Sequence, residues 1–304
     1  MDRRIKIRHL QALTEIVRQG SLKRAAERLF LTQPAISRTL SELEEIIGAE
    51  LLTRSRSGVA LTPQGEFFHG FAQSSLSALE QGLAGIEEAG REGAMQLRVG
   101  ALPSVAARLM PEVVKQLAKL APEIRLVIAD GSHGHLTGLL RAGDLDLVIG
   151  RLGAPETMRS LSFTQLYLEE VAVVVRPGHP ILSDPDLRRI TDWPVIYPAP
   201  WAAIRPFVER LLIAEGIPMP TRRIETVSGA FGRAYLPGSD AVWFISAGVV
   251  AREVEQGQLV RLPVATGSTE GPVGLMAHAD QPETTARQLF VQAVGRAVSR
   301  LELA

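Results

Sequence analysis

The chain has 304 residues, too many for one typical domain and enough for two or three that each bury a core. Hydrophobic residues make up 46% and charged residues 22%, the balance of a soluble globular protein, and the net charge is zero. The absence of cysteine excludes disulfides, thiolate catalysis, thiol redox sensing and Cys-ligated zinc.

The neutral total hides an asymmetry. Residues 1–40 hold nine Lys or Arg against three Asp or Glu, so a basic head precedes an acidic body, as expected where the head meets phosphate. No signal-peptide apolar run occupies the first thirty residues, and no stretch approaches the roughly 20 apolar residues that span a bilayer. The expected location is cytoplasmic, with no membrane partner.

Met1 to Lys6 is short and basic, suited either to a DNA backbone or to solvent. From Arg8 to Gln19 the apolar residues Leu10, Leu13, Ile16 and Val17 form a helical stripe, and Gly20 is placed to cap its end. Ser21 to Gly48 then reads as two short helices joined by a tight turn, a helix-turn-helix. Leu22, Ala25, Ala26 and Leu29 mark the buried face of the first, and Ile36, Leu40, Leu43 and Ile47 that of the second. Ser21 is expected to N-cap the first helix and Thr32 the second, with Pro34 still in the first turn, where a missing N–H costs little. If the second helix enters a major groove, its free N-terminal end offers Gln33, Pro34, Ser37, Arg38 and Ser41. Gln33 and Arg38 carry the side chains best suited to base edges. Lys23 and Thr32 complete the set of expected DNA contacts on the two helices.

Leu51 to Thr62 reads as two short strands around a Ser-Gly turn, a wing from which Arg54 and Arg56 would reach phosphates or the minor groove; a solvated basic loop is the plainer alternative. From Pro63 the pattern is helical for about thirty residues. Ala72, Leu76, Leu79, Leu83 and Ile86 follow a four-three-four-three spacing, the seam of a coiled coil, and Leu76, Leu79, Leu83 and Ile86 are the expected dimer contacts. Gly82 and Gly85 each cost about 1 kcal/mol of helix propensity relative to Ala, so this helix needs a partner. Gly90 and Gly93 mark a linker.

Beyond Met95 strands and helices alternate, as in a parallel sheet. Strands are expected at 96–101, 125–130, 145–150, 170–176, 194–197, 223–226 and 241–245, near Leu259, and at 273–277. Helices are expected at 105–120, 136–142, 204–215, 229–236 and 284–301. The expected fold is thus an N-terminal winged helix-turn-helix (1–62), a linker and dimerisation helix (63–93), and a two-lobed α/β domain with a cleft between its lobes (94–304). Lobe one spans about 94–167 with 273–304, and lobe two about 168–272.

Ligands bind beyond the carboxyl ends of parallel strands, where loops meet helix N-termini. The residues so placed are Ser104, Gly131, Ser132, Arg151, the segment Pro198 to Arg205 with Trp201, and Ser228 with Gly229. Hydroxyls and arginines together suit a carboxylated metabolite. The same serines also suit helix caps, and Arg151 and Arg205 also suit ion pairs. His133 and His135 have the spacing of a metal pair but no accompanying carboxylate or thiol cluster, so no metal and no cofactor is expected. No Gly-x-Ser-x-Gly, phosphate loop, dinucleotide fingerprint or catalytic pair is present, so no enzyme activity is expected.

The chain resembles the bacterial LysR-type transcriptional regulators along its whole length. The resemblance rests on Ala25-Ala26-Glu27-Arg28-Leu29, on Thr32-Gln33-Pro34-Ala35-Ile36-Ser37-Arg38, on Leu43-Glu44 and Leu51-Leu52-Thr53-Arg54, and on Leu61-Thr62-Pro63-Gln64-Gly65. Its first eleven residues are similar to those of the subgroup containing regulators of protocatechuate catabolism and of a galactose-binding protein. The resemblance implies a DNA partner bearing an interrupted palindrome, a small-molecule effector in the cleft, self-association as homodimer or homotetramer, and contact with RNA polymerase. It also implies that the positions of Ser104, Ser132 and the lobe-two loop bind effector. The sequence leaves open a constitutive DNA binder, a ligand-binding module without switching, and an enzyme carrying an accessory DNA domain.

Overall fold

The computed structural model describes residues 4–55, 58–89, 95–279, 281 and 283–303. The chain divides into two compact units, Met1–Gly93 with Arg141–Asp144, and Ala94–Leu140 with Leu145–Ala304.

The first unit runs α1 (Ile7–Gln19), α2 (Leu22–Arg28), α3 (Gln33–Ile47), β1 (Leu52–Ser55), β2 (Gly58–Leu61) and α4 (Pro63–Ala89). Gly20 ends α1 in the left-handed region at φ 62°, its N–H donating to the Ile16 and Val17 carbonyls. Ser21 Oγ accepts from the Arg24 N–H at 3.5 Å and caps α2. Thr32 holds the N-cap position of α3, but its side chain makes no capping bond. The reason is local. Pro34 has no N–H to offer, and Ala35 N–H donates instead to the Thr32 carbonyl at 3.0 Å. Leu13, Ile16, Leu22, Ala25, Ile36, Leu40, Leu43 and Leu51 form one core, with Leu29 and Ile47 only partly buried at its margin.

The antiparallel pair β1–β2 forms the wing, and Glu44 fastens it to α3 by accepting from Leu51 N–H at 2.8 Å and Leu52 N–H at 3.3 Å. Arg56 and Ser57, at the expected turn, lie outside the described residues, as do Gly90 and Gly93. Thr62 joins wing to α4. Its Oγ1 donates to the Glu50 carbonyl and accepts from Gly65 N–H, and a side chain at Gly65 would strike the Leu51 carbonyl. The Leu61-Thr62-Pro63-Gln64-Gly65 motif is therefore a cap and a close approach. Ala72 is buried within this unit, where α4 packs on α1, and so is not free for a seam. Leu76 is half-buried, Leu79 and Leu83 are exposed, and the Ile86 side chain lies outside the description.

In the second unit, lobe one contains β3 (Gln96–Ala101), a π-helical turn (Val105–Leu109) running into α5 (Met110–Leu120), β4 (Arg125–Asp130), α6 (His133–Ala142), β5 (Leu147–Arg151) and β6 (Leu161–Glu169). Lobe two contains β7 (Val171–Val175), β8 (Val195–Tyr197), α7 (Arg205–Ala214), β9 (Arg223–Glu225), α8 (Gly229–Tyr235), β10 (Val242–Ser246), α9 (Ala247–Glu255) and β11 (Val260–Arg261). The chain then returns to lobe one as β12 (Gly271–His278) and α10 (Thr285–Arg300).

Each lobe is built on a five-stranded sheet, ordered β4-β3-β5-β12-β6 and β11-β7-β10-β8-β9. Both sheets are mixed rather than parallel: β12 is antiparallel to β5 and β6, and β7 to β10 and β11. Side chains alternate between faces. In β5, Leu147 and Ile149 join the core under α5 and α10, while Val148 joins the one under α6. Burial on both faces explains the uninterrupted apolar run of β7.

Two elements fall outside the sequence-based expectation. Strand β6 mixes polar and apolar residues along a sheet edge with a break in its register, and α9 opens on Ala-Gly-Val-Val, which continues the apolar run of β10. The chain crosses between lobes around Glu170 and again between Thr269 and Gly271, so the expected breaks at 167/168 and 272/273 fall inside β6 and β12.

Candidate functional site

The first unit presents one exposed helix end. Thr32, Gln33, Pro34, Arg38 and Ser41 are exposed, Ser37 is half-buried and Lys23 on α2 is exposed. The Arg38 side chain is 84% exposed, its Nε 3.5 Å from Glu42. Glu42 also takes Arg8 at 2.9 Å and faces His9 at 3.5 Å. Partial desolvation raises the Glu42 pKa, but these hydrogen bonds and cations outweigh it and hold the carboxyl below its ordinary value. Arg38 thus leans on a carboxylate already satisfied by α1 residues. Arg54 lies on β1; its side chain and Arg56 are outside the description.

In the second unit a cavity of about 650 Å3 opens where the two lobes face each other. Its walls come from the segments at the carboxyl ends of β3, β4, β5, β8, β9 and β10. Ser104, Gly131, Ser132, Arg151, Pro198, Trp201 and Ser228 all line it, and Trp201 remains 66% exposed.

The three serines differ in what already engages them. Ser132 Oγ accepts from His135 N–H at 3.3 Å at the start of α6, and Ser228 Oγ accepts from Phe231 N–H at 3.1 Å at the start of α8. Both are caps that also face the cavity. Ser104 makes no capping bond; its hydroxyl lies beside the Glu169 carboxylate and favours its charged form.

Arg151 ends β5 and is 3% exposed. Its Nη2 donates to the Glu169 carbonyl at 2.7 Å and its Nη1 to the Thr269 carbonyl at 3.2 Å, so one guanidinium holds a residue at each of the two inter-lobe crossovers. The ring of Phe207 lies 4.8 Å from it. Nε is buried and has no hydrogen-bond partner. Burial lowers the Arg151 pKa, and the charge of Glu169 opposes that shift. Burial raises that of Glu169, against the Ser104 hydroxyl, Arg151 and the Gly248 N–H, which donates to Glu169 at 3.1 Å.

Arg205, expected at the ligand, does not line the cavity. Its guanidinium binds Glu209 at 2.7 Å, Glu225 at 3.3 Å and the Pro198 carbonyl at 3.1 Å, and lies over Tyr197. These contacts tie the Pro198 loop to β9 and α7.

Several wall residues were not expected at the ligand: Asp130, Thr226, Arg233 and Ser246, and His133, which the sequence offered only as half of a metal pair. Asp130 and Ser246 are the last residues of β4 and β10; the expected strand at 125–130 already ends on Asp130, whereas the one expected at 241–245 stops one residue short of Ser246. Arg233 is tied to Glu253 at 2.7 Å and to the Val249 carbonyl at 2.6 Å. Among the described residues there is no group of three or more His, Cys, Asp or Glu placed to hold a metal, and no helix long and apolar enough to cross a membrane.

A winged helix-turn-helix joined in one chain to a two-lobed unit with a cleft at its strand ends defines a DNA-binding protein that carries a ligand-binding domain. The chain belongs to the LysR family of transcriptional regulators. Residues 7–66 match the family model described as bacterial regulatory helix-turn-helix protein, lysR family, and residues 90–299 match the LysR substrate binding domain. It is similar to the transcriptional regulator PcaQ of Agrobacterium fabrum, at 44% identity over 99% of this chain and 97% of the relative. It is also similar to GbpR of Azospirillum brasilense, at 28% identity over 92% and 82%. Among solved structures it shares its fold with full-length BenM (TM-score 0.57, 22% identity, 99% of both chains). It shares it too with full-length CbnR in complex with its target DNA (TM-score 0.61, 18% identity, 96% of this chain and all of that one). Members of this family bind DNA and small-molecule effectors, form oligomers, and are regulators rather than enzymes.

Proposed function

We propose that the chain regulates transcription in response to a small carboxylated metabolite held between the two lobes. The observation that carries this reading is the cavity wall itself: the buried guanidinium of Arg151 stands beside the serine-bearing loops at Ser104, Ser132 and Ser228. A guanidinium and hydroxyl donors in one low-dielectric wall favour an anion, and a carboxylate can accept from the hydroxyls while balancing the charge. Gly131, Pro198 and Trp201 shape the rest of the site.

Because the other two nitrogens of Arg151 hold the two crossovers, a ligand gripped there acts on the joint between the lobes. Ligand shifts the balance of lobe arrangements only by its differential affinity for them. In the cytoplasm, a homodimer or homotetramer joined through Leu76, Leu79, Leu83 and Ile86 of α4 would pass that change to recognition helices on an interrupted palindrome, and so to RNA polymerase. On the DNA, Gln33, Pro34, Ser37, Arg38 and Ser41 would read the major groove, with Lys23, Thr32, Arg54 and Arg56 on the backbone or in the minor groove.

Isothermal titration tests the ligand class. Small aromatic carboxylates should release heat with a saturable isotherm while neutral sugars of similar size release none. Sugars that bind where the acids fail would refute the acid assignment.

A further inference from the structure

The C-terminus of α2 closes in the six-residue pattern that demands a left-handed residue. Leu31 N–H donates to the Ala26 carbonyl at 2.9 Å and Phe30 N–H to the Glu27 carbonyl at 3.3 Å, and between them Phe30 has φ 56°. Glycine adopts that conformation without a Cβ clash, and asparagine tolerates it. The same unit uses glycine at the left-handed ends of α1 and α3, Gly20 and Gly48. At the third such end it has phenylalanine, with a ring 96% exposed.

That choice costs the free chain twice. The backbone is strained for a bulky residue, and a whole aromatic face stands in water with nothing from the unit packed on it. Strain of this kind persists where something other than folding uses it.

The position identifies the user. Phe30 precedes Gln33, the first residue of α3, by three residues, which cannot separate the two Cα atoms by more than about 11 Å. A helix whose N-terminal end enters a major groove therefore brings this ring to the groove wall with it. Its charged neighbours suit the same surface, since Lys23, Arg24 and Arg28 of α2 are all exposed. Thymine methyls and deoxyribose carbons give the wall an apolar component that an aromatic ring can cover.

We propose that Phe30 is a DNA-contacting residue that packs its ring on the apolar wall of the operator's major groove, flanking the base readout by α3. The inference rests on the placement of α3 in DNA.

The test uses the full chain and a duplex that the wild-type protein selects from a random-sequence pool. In Phe30→Asn and Phe30→Gly the unfolding midpoint should rise by a few degrees, because strain is relieved and no packing is lost. Affinity for the selected duplex should meanwhile fall about tenfold, with the salt dependence unchanged because no ion contact is removed. Phe30→Leu should retain most of the affinity. Variants that bind as the wild type does would overturn the proposal, and so would a loss of affinity accompanied by loss of self-association in light scattering, which would assign the ring to a second copy of the chain. Arg38→Ala, run alongside, separates the two readings. If it weakens binding while the Phe30 variants do not, only this inference falls; if it too has no effect, the placement of α3 falls with it.

Discussion

Glu169 sits buried at the crossover with its pKa raised, and that direction fixes the sign of a pH effect. A group whose folded pKa lies above its unfolded value binds more protons in the folded state. Its contribution to stability is full below the ordinary carboxylate range and is lost as pH rises through the folded value. Glu169→Gln cannot ionise, so the stability of the variant relative to wild type should climb as pH rises, measured by urea unfolding from pH 4 to pH 9. A difference that stays constant over that range would show that Glu169 titrates as it does in the unfolded chain. At this scale the sequence was partly legible. Ser21, Ser132 and Ser228 cap as their positions suggest, because a cap needs only a hydroxyl three residues ahead of an N–H. Thr32 does not, since a proline changes which N–H is on offer. The role of Arg205 was hidden because Glu225 lies twenty residues away on another element.

Elements with one buried face declared themselves. The first three helices follow a 3.6-residue stripe into a single core, and the wing follows from two short strands, the second opening on Gly58. Strand β6 and helix α9 did not, the first because a half-exposed edge strand lacks a continuous apolar run, the second because its first turn is as apolar as the strand before it. In α4 the spacing of apolar residues was visible, but the part of it spent inside the unit was not: Ala72 is buried while Leu79 and Leu83 face outward. Leu79→Glu should therefore leave the fold intact, since the side chain is exposed in its own chain and outside the unit's core, and yield a monomer with poor operator affinity. Light scattering that returned an unchanged dimer would remove α4 from the interface.

For the whole molecule, two-unit organisation and a cleft at strand ends were readable from the change of grammar near residue 95, from helical stripes to alternating strands and helices. The mixed order of both sheets was not, because a strand that returns from a distant part of the chain carries no local mark of its direction; β12 enters lobe one more than a hundred residues after β5. That return matters for function. It brings the second crossover beside the first, where Arg151 can hold both while facing the cavity.

The central claim is that a ligand in the cleft alters what the helix-turn-helix does on DNA. The measurement that tests it most directly is genomic footprinting of the protein with and without small aromatic and aliphatic carboxylates. A ligand-switched regulator should protect a short interrupted palindrome whose boundaries shift with one of these acids. Protection that ignores every acid but shifts with a neutral ligand, or shifts with none, would contradict it.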